Sequence, residues 1–438
     1  KILDRRVLWL ALALLASVNS WHMLVTMADR EKYFVDEMWN SNAALGFVTG
    51  LNYSESLGGQ RIGGGISTGI VGSLPSGLAW LLGANLFGAR LVAGAAVWLL
   101  ALALGTRVFF GAGFAVHNAL FLSAALWSVT VMPLLGFPYW HGFLLTLGEL
   151  AGALWLGWGL VVMPKRPALA ALLWGLAVWH CKFIYAPLAA GFIVLNSVLV
   201  QPDLRRKLDR LALLAGAFLL PLAAWALLIF VRFGYAGLSG WALEYSGFIL
   251  AGRQRLDQSG TFFQLLAARL AAPELEWSSL STGYRVKMLV LSLGAVVAVP
   301  LAMRALVPER PHLRTGALYS GVVMAAILAY SYWYFLLHLT MWTRHFHSYW
   351  YFLLHLTMWT RHFQPALYSG LGLLVYWGLW LYRVRLRPLA GMAQRLQLAL
   401  VVLLALQTVL VWQVPLLEPG TSFARGCADL AGDSCARH

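Results

Sequence analysis

The chain has 438 residues, 60% of them hydrophobic and only 11% charged, with a mean hydropathy of +0.72. Soluble domains run about 45–50% apolar and about 25% charged, so this composition excludes a cytosolic globular protein. The surplus of 32 Lys and Arg over 17 Asp and Glu leaves +15, which positive-inside topology and phosphate-bearing lipids explain without nucleic acid as a partner.

A membrane span takes roughly 20 apolar residues. The pattern predicts an all-α polytopic membrane protein with about eleven transmembrane helices. They fall near 7–27, 88–109, 113–133, 141–163, 168–186, 187–200, 211–231, 287–307, 315–336, 365–383 and 396–414. Val7–Met27 reads as a first spanning helix rather than a cleavable signal, because no small-residue cleavage site follows it. Alternate connections are short and basic: Arg5-Arg6, Arg107, Lys165-Arg166, Arg205-Arg206-Lys207 with Arg210, Arg304 to Arg314, and Arg383 to Arg395. Short basic connections face the cytoplasm, which puts the amino terminus inside and the carboxyl terminus outside.

On this plan a transmembrane domain occupies 1–414, followed by an outside tail, 415–438. Three outside segments are too long for simple turns: about 28–87, 232–286 and 337–364. Gly69–Leu86 in the first and Phe262–Leu266 in the second read as interfacial helices. Cys427 and Cys435 share the tail, where an oxidising compartment permits a disulfide or leaves both thiols free. Cys181 falls within a span as a small apolar filler.

The sixteen-residue stretch SYWYFLLHLTMWTRHF at 331–346 recurs unchanged at 348–363, with His347 between the copies. Identity so complete marks a tandem duplication or a sequence error rather than a structural repeat. An offset of 17 residues also turns the helical face by about −100°, so only one copy counts towards a site.

The sharpest chemical signal is Asp36-Glu37, a carboxylate pair just beyond the first span. A carboxylate there can take the proton of an acceptor hydroxyl as it attacks an anomeric carbon; the plainer reading is a solvated loop or ion pairs with Arg30 and Lys32. The glycine-dense run Gly58–Gly69 surrounds Arg61 and suits either a flexible connector or backbone approach to an anion. Glu149 and Lys182 are ionisable residues inside spans, where charge is costly and often functional. They can pair, or Lys182 can face a lipid phosphate; structurally, Lys182 snorkels and Glu149 serves as a bundle partner. Arg361-His362, entering the tenth span, can hold a phosphate leaving group or simply belong to an interfacial belt. No histidine cluster has a metal-site spacing once the duplicated copy is set aside, and a divalent cation is left open.

Together these residues resemble the GT-C superfamily, the multi-spanning transferases that use polyprenyl-phosphate sugars, such as the lipid A aminoarabinose transferase and the protein O-mannosyltransferases. The resemblance rests on Asp36-Glu37, on Ile66-Ser67-Thr68-Gly69 leading to Pro75, on Gly148-Glu149, on Gly175-Leu176-Ala177 followed by Lys182, and on Arg361-His362 before Pro365. It covers most of the first 200 residues and the 360s, and implies a GT-C-like fold with interfacial helices in the outside loops.

The activity so implied is inverting sugar transfer at the outer face, with Asp36 the first choice of base and Glu37 the second. Arg61, Lys182, Arg361 and His362 become candidates for the donor phosphate. The partners would be a polyprenyl-phosphate-sugar donor, membrane lipids, and a glycan, lipid or protein acceptor, with no nucleic acid. The excess of 26 Arg over 6 Lys fits a GC-rich bacterial genome and hence a bacterial inner membrane. Two other classes remain open: a transporter or flippase for a lipid-linked glycan, and a non-catalytic subunit of a membrane complex. The chain lacks the half-to-half similarity common in transporters.

Overall fold

The computed structural model describes residues 5–30, 43–49, 56–57, 60–61, 70–130, 148–199, 201, 203–251, 319–322, 375–376, 378–382 and 392–413. These residues are almost wholly helical. The order is α1 (Arg5–Arg30), α2 (43–49), the two-residue strands β1 (Ser56–Leu57) and β2 (Gln60–Arg61), then α3 (Ile70–Leu81), α4 (Leu86–Gly111) and α5 (Val116–Thr130). There follow α6 (Gly148–Val162), α7 (Pro167–His180), a 3-10 turn (Phe183–Tyr185) and α8 (Ala186–Val194), which runs into one π turn (Leu195–Leu199). Last come α9 (Leu204–Ala251) and α10 (Met392–Gln413). The antiparallel β1–β2 ladder sets Ser56 opposite Arg61.

Local chemistry explains several boundaries. The Asn85 side chain accepts the Gly88 N–H at 2.9 Å and starts α4, satisfying one of the donors that a helix leaves open. Pro167 opens α7 in its first turn, where a missing N–H removes no helical bond. Pro75 lies inside α3 without ending it, so the helix expected over 69–86 is present at Ile70–Leu81 and stops before the turn at Gly83, whose φ is +81°.

Two helices are long and apolar enough to cross a membrane, α4 and the Leu204–Leu243 part of α9. Other apolar stretches within α3, α5, α6, α7, α8 and α10 are shorter in the described residues. Predicted spans at 88–109 and 396–414 coincide with α4 and α10 to within a few residues. The predicted span at 211–231 lies within the apolar Leu204–Leu243 stretch of α9, whose helix continues past it, breaks at Gly234 and resumes to Ala251. The span at 168–186 is corrected, since α7 stops at His180 and the chain turns before α8. The 287–307 span, the Phe262–Leu266 helix, the duplicated 331–363 segment and Cys427 and Cys435 lie outside the described residues.

Small residues set the spacing of the bundle. The closest body joins α6, α7, α8 and α9 around Trp174, Tyr185, Phe192 and Leu214. A second cluster joins the ends of α1, α6 and α7 to α4 and α5, and a third locks α1, α5 and α10 around Leu12, Ala16, Ala125 and Leu404. Between α7 and α9, a Cβ on Gly175 would run into the Phe218 carbonyl oxygen. The same seam carries two side-chain bonds, Trp179 Nε1 to the Phe218 carbonyl at 3.1 Å and His180 Nε2 to the Pro221 carbonyl at 3.0 Å. In lipid such small-residue contacts hold helices together, because tails offer apolar side chains no hydrophobic penalty.

Gly175→Ala is therefore expected to lower stability by about 1–3 kcal/mol, as overpacking against rigid backbone does. Gly216→Ala on α9, with nothing within 4 Å of its new methyl group, is expected to be neutral or stabilising by up to about 1 kcal/mol. Thermal unfolding of the two variants in detergent checks the contrast.

Candidate functional site

Arg90 sits one turn into α4 and is 1% exposed. Its Nη1 lies 3.5 Å from the carbonyl of Ala28, in the last turn of α1. A cation at a helix carboxyl end meets carbonyls that lack intrahelical donors and the negative end of the helix dipole. Arg90 thus secures the point from which the chain leaves towards Asp36 and Glu37. It was not singled out from sequence, although a lone charge four residues into an apolar run was the available signal.

Cys181 and Lys182 form a break between α7 and the 3-10 turn. The Lys182 N–H bonds back to the Ala177 carbonyl at 2.9 Å, and its carbonyl accepts from the Tyr185 N–H at 3.3 Å. Lys182 is half-buried and extended, with φ −153° and ψ 125°. The break lies against α6: a Cβ on Gly152 would run into the Tyr185 ring and come within 3.4 Å of the Cys181 Cβ. Glu149 is in α6 one turn before Gly152. Buried His180 completes the joint, its ring meeting Trp225 edge-on at 5.7 Å.

One apolar cluster ties these pieces together. It contains Ala28 from α1, Trp127 from α5, Leu150 from α6 and Cys181 from the break, with Val71 of α3 and Leu91 of α4 packed against it. Ala28 precedes the carboxylate loop, Val71 follows the glycine-dense run, Leu150 adjoins Glu149, Cys181 adjoins Lys182 and Leu91 adjoins Arg90. The flanks of the separately noticed motifs therefore meet at one end of the bundle. Cys181 is 1% exposed within this cluster.

Of the candidate residues, Lys182 is described with its side chain, while Arg61 is placed by its backbone in β2 and Glu149 by its backbone in α6. Asp36, Glu37, Arg361 and His362 lie outside the described residues. Among the described residues no three His, Cys, Asp or Glu side chains converge on a common point. No protein-family model, curated protein or solved structure matches the chain.

Proposed function

We propose that this chain is a membrane-embedded transferase of the GT-C type, moving a sugar from a polyprenyl-phosphate donor to an acceptor at the outer face of a bacterial inner membrane. On this reading about eleven helices span the bilayer, with the amino terminus in the cytoplasm and the carboxyl terminus outside. The observation that carries the proposal is the apolar cluster of Ala28, Val71, Leu91, Leu150 and Cys181. It gathers at one end of the bundle the flanks of a carboxylate pair, a glycine-dense run, an intramembrane acid and a half-buried lysine. A lipid-borne donor and a water-borne acceptor meet only at such a membrane edge, where a base and a phosphate-binding cation are both needed.

Asp36 takes the acceptor hydroxyl proton as that oxygen attacks the anomeric carbon, and the bond to the phosphate oxygen breaks. The polyprenyl phosphate leaves with the bonding electron pair, and a cation such as Lys182 stabilises the charge it gains. Attack opposite the departing phosphate inverts the anomeric centre.

The test is donor consumption by purified protein in lipid, set against the Asp36→Asn/Glu37→Gln double variant. Turnover of a polyprenyl-phosphate sugar by the wild type alone supports the reading. A well-folded wild type that binds and consumes no such donor overturns it.

Lys182 has its own test. Lys182→Met keeps the apolar stem and removes the charge. Losing a charge-assisted bond of about 1.5–3 kcal/mol is expected to weaken donor binding roughly 10- to 100-fold. An unchanged donor affinity, measured by titration, would leave Lys182 as a snorkelling residue only.

A further inference from the structure

The α9 helix is too long for the membrane that it enters. Its 48 residues form two helical pieces that meet at Gly234, one of about 45 Å and one of about 26 Å, against a hydrocarbon thickness of about 30 Å. Charges mark where the lipid-embedded part ends. Arg205, Arg206, Lys207, Asp209 and Arg210 stand at the start, the next charge is Arg232, and none lies between. The 21 uncharged residues from Leu211 to Val231 cover about 32 Å, one hydrocarbon thickness.

Two residues beyond Arg232 the helix breaks. Gly234 has φ +66° and ψ −167°, a combination open essentially to glycine alone. Seventeen helical residues follow, Tyr235–Ala251, with Glu244 as their single charge and Tyr235, Trp241, Tyr245 and Phe248 as aromatics. By helical spacing Leu238, Trp241, Tyr245, Phe248 and Ile249 share one face of this segment, and Gly237, Gly240, Glu244 and Gly247 lie beside it. Leu238 and Trp241 are half-covered by the protein, while on the other side Tyr235 is 76% and Leu243 65% exposed. An aromatic-rich apolar face flanked by glycines and one carboxylate suits the headgroup boundary, where tyrosine and tryptophan concentrate.

We propose that Tyr235–Ala251 is a lipid-binding interfacial helix, turned at Gly234 to lie in the membrane plane, with the phospholipid headgroup layer as its partner. The inference is independent of the transfer chemistry: it concerns which surface this segment binds. Arg232 marks the level at which α9 leaves the hydrocarbon, and the turn two residues later keeps the following apolar residues from being carried into water.

Nitroxide labels test it directly. Positions 235, 239, 243, 246 and 250 share one face of a helix by spacing. Each is changed singly to Cys (Tyr235→Cys, Ser239→Cys, Leu243→Cys, Ser246→Cys, Leu250→Cys) in a full-length chain whose Cys181, Cys427 and Cys435 are replaced by Ala. The labelled protein is placed in vesicles of phosphatidylethanolamine and phosphatidylglycerol. Collision rates with oxygen and with a water-soluble nickel chelate then give the depth of each label. An in-plane helix is expected to give five shallow depths that agree within roughly one helical pitch of 5.4 Å.

A helix continuing upright would spread them over about 22 Å between positions 235 and 250, and that result would overturn the proposal. Free access of the nickel chelate at all five positions would overturn it equally. Gly234→Ala adds a methyl group that meets nothing within 4 Å, so its effect is on the backbone alone. It is expected to spread the five depths, and should that variant not fold, the labels on the Gly234 protein still decide the matter.

Discussion

Asp36→Asn is expected to reduce donor turnover by about 10²- to 10⁴-fold, the contribution of a positioned general base, while donor binding and folding stay close to wild type. The amide keeps the size and hydrogen-bonding reach of the carboxylate but cannot accept a proton at neutral pH. Asp36 follows the end of α1 at Arg30 by six positions in the sequence. Its neighbour provides the internal comparison: Glu37→Gln is expected to cost less. Rates for the two single variants, measured on the same lipid-linked donor, assign the base. If Glu37→Gln proves the more damaging, the two residues exchange roles; if both retain near-wild-type turnover, neither is the base.

The second large effect is structural. Trp174 is fully buried, its Nε1 donates to the Leu156 carbonyl at 3.2 Å, and its ring lies 5.5 Å from that of Phe192. Gly159 faces the indole so closely that a Cβ there would overlap Nε1. Trp174→Ala would empty the centre of the body formed by α6, α7, α8 and α9 and is expected to cost about 3–5 kcal/mol. Trp174→Phe keeps most of the ring and loses the N–H, so about 1 kcal/mol is expected. Unfolding in mixed detergent micelles measures both. In a bilayer the loss reflects missing contacts rather than exposure to water, since lipid is as apolar as the side chain removed. A Trp174→Ala protein within 1 kcal/mol of wild type would mean that this body is loosely packed.

What could be read from the sequence divides along physical lines. Composition and long apolar runs pointed to a helical chain with helices long and apolar enough to cross a membrane, and α4 and α10 fall where hydropathy places them. Helix ends were less legible. The helical backbone continues past Arg232, breaks at Gly234 and resumes to Ala251, none of which the length of the apolar run registers. Separate spans at 168–186 and 187–200 imply a break in this run, but it falls earlier, at Cys181–Tyr185, because hydropathy does not locate a turn.

For the site, single motifs were visible but their meeting was not. No local pattern connects Ala28, Val71, Leu150 and Cys181, because their contact arises from how helices pack rather than from spacing along the chain. Arg90 shows the same limit. Its charge could be read, while its burial against α1 depends on a partner 62 positions away.

The bond between α1 and α10 bears on how this protein is made. The Asn19 amide donates at 2.9 Å to the Thr408 hydroxyl, 389 positions later, and lies 3.5 Å from the Leu404 carbonyl. At a ribosomal pace of roughly 5–20 residues per second, Asn19 waits some 20–80 s for that partner to emerge. The bundle therefore closes only late in synthesis, and until then a buried amide on the first helix depends on its own helix, through the Leu15 carbonyl, or on solvent. A polypeptide halted before Met392 would leave Asn19 without its Thr408 partner.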